Sequence, residues 1–189
     1  MANVRDARED EILSATLTLI ATRGIDAVSM ANVAEATGLS RPALYQYFAS
    51  KEDLLAELVI NEMADLSNEI DTRVARFEEP LEQIRVWVHY SLAHLSGAEH
   101  RAIREISIDR LPAEKRGMLH AMHGHFMLTL LSPLRALGIS DPTPTAHMIF
   151  AAVSTAAKRI DEGSEFVREA AALEAFAMAG ITGARSTSF

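Results

Sequence analysis

The chain has 189 residues, 49% hydrophobic and 23% charged, with nine Gly and six Pro, a composition that supports a packed core and excludes extended disorder. It has no Cys, which excludes disulfides and Cys-ligated zinc, and its net charge is −8. No segment has the roughly 20 consecutive apolar residues of a membrane span. Met1 to Glu11 is charged without an apolar signal region, so a cytoplasmic protein with no membrane contact is expected.

The first helical pattern carries Ile12, Leu13 and Leu17. Residues 29–54 then spell a short helix, a Gly turn, a second short helix and the start of a third. Ser29 caps the first, with Val28 stapling to Val33. Ser40 caps the second, with Leu39 stapling to Leu44. Ser50 caps the third, and Asp53 answers it as a weaker relative of the capping-box Glu. Gly38 stands where the first short helix must end in a left-handed turn. This is a helix-turn-helix, the device that lays a helix in the DNA major groove.

The period of the second helix separates its faces. Leu44 and Phe48, one turn apart, point into a small core with Ile12, Leu13, Leu17, Val33 and Ala34. At about 100° per residue, Pro42, Ala43 and Gln46 project outward, with Tyr45 and Tyr47 on the flanks. Gln binds adenine through two hydrogen bonds, and Ala or Pro contacts a thymine methyl. Arg41 reaches a guanine or a phosphate, and Lys51 with the free N–H groups of its helix forms a phosphate site. The candidate DNA-binding set is therefore Ser29, Ser40, Arg41, Pro42, Ala43, Tyr45, Gln46, Tyr47 and Lys51. The alternative for the two phenols is ordinary, partly buried packing. Arg5 and Arg8 either add contacts from an N-terminal arm or belong to a solvated helix start.

The segment from about Ile12 to Leu55 resembles the DNA-binding domain of the tetracycline-repressor (TetR) family. The match lies in Ile12-Leu13 to Gly24, Val33-Ala34 to Gly38, Leu39-Ser40-Arg41, Leu44-Tyr45, Phe48 and Ser50-Lys51-Glu52-Asp53-Leu54. Family members usually carry a small residue such as Gly at the place of Pro42. Proline has no N–H, so a backbone-amide phosphate contact made there in relatives is lost here, while the first helical turn tolerates it. The resemblance implies an all-α fold, with an N-terminal three-helix domain over residues 1–50 and a larger effector-binding and dimerisation domain over residues 51–189.

Charge runs against a simple DNA-binding signature. Residues 1–51 carry five Lys/Arg and six Asp/Glu, about −1, and the remainder carries −7. A basic footprint is the usual sign of a nucleic-acid binder. Here the positive groups act locally, and specificity rests on dimer pairing and base contacts.

Beyond residue 54 the pattern is helical throughout, with no strand-type alternation. One helix is expected from Lys51 to about Phe77, broken at Glu78-Glu79-Pro80. The next runs from about Leu81 to Leu95, then a shorter one from Glu99 to Asp109, ended by Leu111-Pro112. A long helix from Ala113 to Leu137 contains Pro133, which should kink or split it. The last two are expected over Thr145 to Glu162 and Ser164 to Ala179, parted at Gly163, with Ala184 to Phe189 frayed.

The first of the last two helices is apolar almost all round through Met148–Val153, more than one core face requires, and both carry alanines that let helices approach closely. They suggest a dimer interface through Met148, Ala152, Ala156, Val167, Ala171 and Met178, and the resemblance implies a four-helix bundle with a twin. The alternative is a monomer core. The middle helices offer a candidate effector chamber, with polar groups set among apolar ones. Its residues are Met63, Leu66, Trp87, Tyr90, His94, Ile103, Ile106, Met122, His123, Phe126, Met127, Leu130, His147 and Phe150. Plain core is the alternative for each of them alone.

No nucleotide- or coenzyme-binding motif appears, and no cofactor is expected. His120 and His123 share a helical face, but no Cys or clear carboxylate cluster completes a metal site. A metal-assisted helical hydrolase using them with Glu105 or Asp109 would leave the helix-turn-helix unexplained. The residues therefore point to a non-enzymatic, homodimeric, effector-responsive regulator, most simply a repressor on a palindromic operator. A DNA-binding regulator without a small-molecule effector stays open beside it.

Overall fold

The structure, a computed structural model, describes the backbone of residues 2–186 and the side chains of residues 7–184. Among the described residues there are helices and turns and no strand. In chain order the helices are α1 (Ala2–Arg23), α2 (Met30–Ala36), α3 (Arg41–Leu44), α4 (Lys51–Val74) and α5 (Pro80–Leu95). They continue as α6 (Ala98–Ile103), α7 (Ala113–Ala136), α8 (Pro142–Asp161) and α9 (Phe166–Ser186). Short 3-10 turns stand at Ile25–Ala27 and Ile108–Arg110. No helix among them is long and apolar enough to cross a membrane.

Two compact units form. The first holds the residues up to Met63 together with Ala98–His120. Its buried side chains include Ile12, Ile20, Val28, Val33, Leu44 and Leu54. Each such side chain contributes roughly 1.5–3 kcal/mol when removed from water. The segment 1–50, expected as a domain of its own, lies within this unit, which also takes the head of α4 and the stretch 98–120. Specific ties hold those additions: the Glu57 carboxylate binds the Lys115 ammonium, and Glu105 accepts from the Ile25 N–H at 3.0 Å.

The second unit holds Ala64–Gly97 and the residues from Ala121 on. Its core gathers Ile70, Ile84, Trp87, Leu92, Leu130, Leu134, Val153 and Ile181, all essentially without exposed surface. The hydroxyls of Ser67 and Ser91 are buried there without a hydrogen-bond partner.

Helix boundaries differ from the expected ones where local bonding takes over. The helix expected over Glu99 to Asp109 stops at Ile103, because Glu105 and Ile106 bond back to Ala102 and Ile103 in i+3 fashion and Ser107 turns extended. Pro133 does not split α7, which runs through it, with the Leu137 N–H on the Pro133 carbonyl at 3.1 Å. Buried Leu130 and Leu134 on either side offset the lost bond. Helix α8 starts at Pro142 because the Asp141 carboxylate accepts from the Thr143 N–H at 3.2 Å. Helix α9 starts two residues late because the Ser164 N–H closes the end of α8 on the Arg159 carbonyl at 2.9 Å. It extends to Ser186; residues 187–189 of the expected frayed end lie outside the described ones.

Candidate nucleic-acid interface

The helix-turn-helix is built by its caps. Ser29 Oγ accepts from the Asn32 N–H at 3.1 Å, Ser40 Oγ from the Ala43 N–H at 3.3 Å and Ser50 Oγ from the Asp53 N–H at 3.0 Å. Asp53 answers one residue further back than a capping-box Glu would, accepting from the Ala49 N–H at 3.0 Å. Gly38, at φ +66°, ends α2 in a Schellman turn: its own N–H bonds Glu35 O at 3.2 Å and the Leu39 N–H bonds Ala34 O at 2.9 Å. A side chain at Gly38 would strain that turn. Caps of this kind contribute about 1 kcal/mol each.

Helix α3 is α-helical for one turn, and then tightens. Gln46 and Tyr47 bond back three residues, while Phe48 returns to the Leu44 carbonyl at 3.1 Å. Leu44 and Phe48 are buried at 0% and 3% exposure, and Arg41, Pro42, Tyr45 and Gln46 face solvent, with Ala43 half-buried. The two phenols differ. Tyr45 is 46% exposed. Tyr47 is half-buried and lines a cavity of about 440 Å³ with Asp10, Phe48, Asp53, Glu57 and Lys115. The Ser29 and Ser40 hydroxyls are committed as cap acceptors, and both can still donate outward.

Two cations considered for DNA contact, Lys51 of the set and Arg8 of the N-terminal segment, have internal partners. Lys51 Nζ donates to the Ile25 carbonyl at 3.4 Å. The Arg8 guanidinium binds the carbonyl of Thr37, the C-cap of α2, at 3.1 Å, and also pairs with Glu11. Arg8 is thus part of the domain's own packing rather than a free arm, because a cation suits the negative end of α2. The side chain of Arg5 lies outside the described residues.

The Lys115–Glu57 pair borders the same cavity. The hydrogen bond to Glu57 raises the Lys115 pKa above its ordinary 10.5; partial desolvation lowers it, and the charges of Glu57, Asp53 and Glu114 raise it. A raised folded pKa gives stability that is complete below about pH 10.5 and lost as pH rises through the folded value. Wild type is therefore expected to lose more stability than Lys115→Gln between neutral pH and about pH 11, as read by urea unfolding. Equal losses would remove the pair from the stability of this unit.

The expected effector residues divide. In the second unit, Trp87 stacks on Phe126 with ring centroids 4.9 Å apart, and Phe150 joins at 6.4 Å from Trp87 and 6.0 Å from Phe126. His123 meets Phe150 edge-on at 5.1 Å. The Trp87 indole N–H donates to Thr129 Oγ1 at 2.9 Å. Leu66, Met127 and Leu130 are buried in the same core, with Met122 half-buried. The Tyr90 hydroxyl oxygen accepts from the Arg73 guanidinium at 2.5 Å, and the guanidinium carbon lies 3.8 Å from its ring centroid. His94 is half-buried in this unit, whereas Met63, Ile103 and Ile106 belong to the first. His147 is a correction: it is exposed, because α8 buries Ala146, Ile149 and Val153, and residue 147 turns away from them. Trp87 and Leu130 have no exposed surface, so a Trp at position 130 would crowd its neighbours. His100 Nδ1 lies 2.5 Å from Glu62 Oε1 in the first unit, a pairing that the spacing of the histidines did not reveal.

On the last two helices, Met148 is 59% and Val167 78% exposed, Ala171 is exposed, and Ala152 and Met178 are half-buried. Ala156 is 6% exposed, on the buried Ile149–Val153 face of its own protomer, and it lines a groove of about 430 Å³ with Met148 and Ala152. Sequence reading passed over Phe176, an apolar ring that is 57% exposed. It and Met148 both line a cavity of about 730 Å³ and a groove of about 430 Å³.

Residues 12–58 match the family model of bacterial regulatory proteins of the tetR family. A curated HTH-type transcriptional regulator of Mycobacterium tuberculosis is 36% identical over 83 residues, which cover 44% of this chain and 41% of that protein. The matched stretch thus spans about two fifths of that relative's length. Among solved structures, Bacillus subtilis FadR in complex with stearoyl-CoA superposes with TM-score 0.75 at 17% identity, over 90% of this chain and 97% of that one. AibR, in complex with isovaleryl coenzyme A and operator DNA, gives TM-score 0.72 at 21% identity over 89% and 97%. These likenesses establish the fold along nearly the whole chain. The chain thus resembles the tetR family of bacterial regulatory proteins in its N-terminal segment, residues 12–58, and shares the fold of these structures.

Proposed function

We propose that the protein is a homodimeric, DNA-binding transcriptional repressor that a small molecule releases from its operator. It acts in the cytoplasm, by binding rather than by catalysis. Residues 1–50 read DNA, and residues 51–189 bind effector and pair the protomers. One observation carries the reading: three capped helix starts hold Arg41, Pro42, Tyr45 and Gln46 outward on α3 while Leu44 and Phe48 anchor it from beneath. A short helix so presented, next to the N-terminus of α4, suits a major groove flanked by phosphates. A dimer grips DNA well when its two reading helices stand roughly 34–36 Å apart, so an effector that favours another spacing loosens both half-sites together.

The effector site is assigned to the second unit, around the Trp87–Phe126–Phe150 cluster and His123. The unpartnered hydroxyls of Ser67 and Ser91 support this, since each costs about 1–3 kcal/mol until a ligand or water bonds it. Coenzyme A thioesters are the first effectors to test, because two fold neighbours hold them.

Selection from a random double-stranded DNA library tests the reading. Wild type should enrich a palindrome. Gln46→Ala should relax preference at one position per half-site, at a cost of about 1–3 kcal/mol, and Arg41→Ala should weaken it at the half-site edge. Unchanged base preference in Gln46→Ala removes Gln46 from the reading role. A winning fragment that no thioester or metabolite releases favours regulation without a small-molecule effector.

A further inference from the structure

We propose that the backbone of Ile25 is a conformational node of the DNA-reading unit and that Glu105 is the positioning residue that holds it. The inference rests on the regulator reading above and adds to it a device by which the stretch 98–120 acts on the reading helices.

Three observations meet at one residue. Gly24 ends α1 at φ +78° and ψ 166°, a region that only glycine occupies readily, and this turns the next peptide away from the helix. The Ile25 N–H so presented is taken by Glu105 Oε2 at 3.0 Å, across 80 residues of sequence. The carbonyl of the same residue accepts from Lys51 Nζ at 3.4 Å. Lys51 is the first residue of α4.

A carboxylate on a backbone N–H is a charge-assisted bond, about twice as strong as a neutral one. It stands next to Gly24, the one residue between α1 and α2 with a positive φ. Glu105 lies where α6 gives way to tightened turns, on the stretch that joins α5 to α7. A shift of that stretch therefore pulls directly on the Gly24–Ile25 hinge, from which α2 and α3 follow. Lys51 supplies the second half of the device. Its ammonium is a candidate phosphate contact, and phosphate competes with the Ile25 carbonyl for it. Binding DNA and loosening the node are then linked events, and linkage runs both ways.

Amide hydrogen exchange resolved at Ile25, together with affinity for the fragment that wild type selects, tests the node in the full-length protein. Glu105→Ala should speed exchange at Ile25 by about tenfold, leaving amides around Trp87 unchanged. It should also change affinity for the fragment severalfold without altering its base preference. Glu105→Gln keeps an acceptor oxygen and should restore both. Ile25 exchange that ignores Glu105→Ala overturns the proposal. So does equal acceleration across all of α1 to α3, which is loss of fold, and so does a faster Ile25 with wild-type affinity. The exchange arm needs no DNA, so a wild type that selects no fragment sinks the regulator reading and leaves the tie to be judged by Ile25 alone.

Discussion

Phe176→Glu is expected to convert the protein to a monomer that no longer holds operator DNA. Phe176 and Met148 are 57% and 59% exposed. They form a ridge between a cavity of about 730 Å³ and a groove of about 430 Å³. A two-fold partner repeats every contact, so one substitution acts twice. Withdrawing an aromatic side chain from such an interface costs roughly 1.5–3 kcal/mol on each side, before the cost of desolvating the new carboxylate. Dimer dissociation should strengthen by on the order of a thousandfold or more. Because residue 176 faces solvent in the protomer, the fold itself should hold, which Ala156→Glu would not allow. Sedimentation of wild type and variant at micromolar concentration, with far-UV circular dichroism as the folding control, reads the outcome. A folded Phe176→Glu that remains dimeric moves the interface elsewhere. If it becomes monomeric yet keeps full operator affinity, the paired half-site model fails.

Trp87→Ala should destabilise the second unit by about 3–5 kcal/mol, a large share of the 5–15 kcal/mol that holds a typical domain. The indole has no exposed surface, stacks on Phe126 at 4.9 Å and anchors Thr129 through its N–H at 2.9 Å. Removal leaves a cavity that its neighbours Phe126 and Phe150 fill only in part. Trp87→Phe keeps most of the volume and loses the donor, so about 1–2 kcal/mol is expected. The Thr129 hydroxyl already donates to the Phe126 carbonyl at 2.7 Å and is not orphaned by that change. Urea unfolding followed by circular dichroism decides. A cost below about 1 kcal/mol for Trp87→Ala would mean that the cluster is loosely packed and that the indole borders open space.

The helix-turn-helix was legible residue by residue because every device in it is local. Ser29, Ser40 and Ser50 each bond an N–H three residues on, and Gly38 needs only its own positive φ. Interactions of that range are written in spacing, and so is the division of α3 into buried Leu44 and Phe48 and exposed Gln46. The all-helical class followed from periodicity for the same reason. Tertiary structure decided what spacing leaves open. A helical stripe says that a residue is apolar on one face and not what covers it, so His147 was placed inside while α8 turns it out. Phe176 was missed because exposure of an apolar ring depends on which neighbours reach it. The bonds from Glu105 to Ile25 and from Lys115 to Glu57 span 80 and 58 residues, and no local pattern encodes partners that distant. Local hydrogen bonding set the reading helix; long-range packing and charge pairing set what holds it.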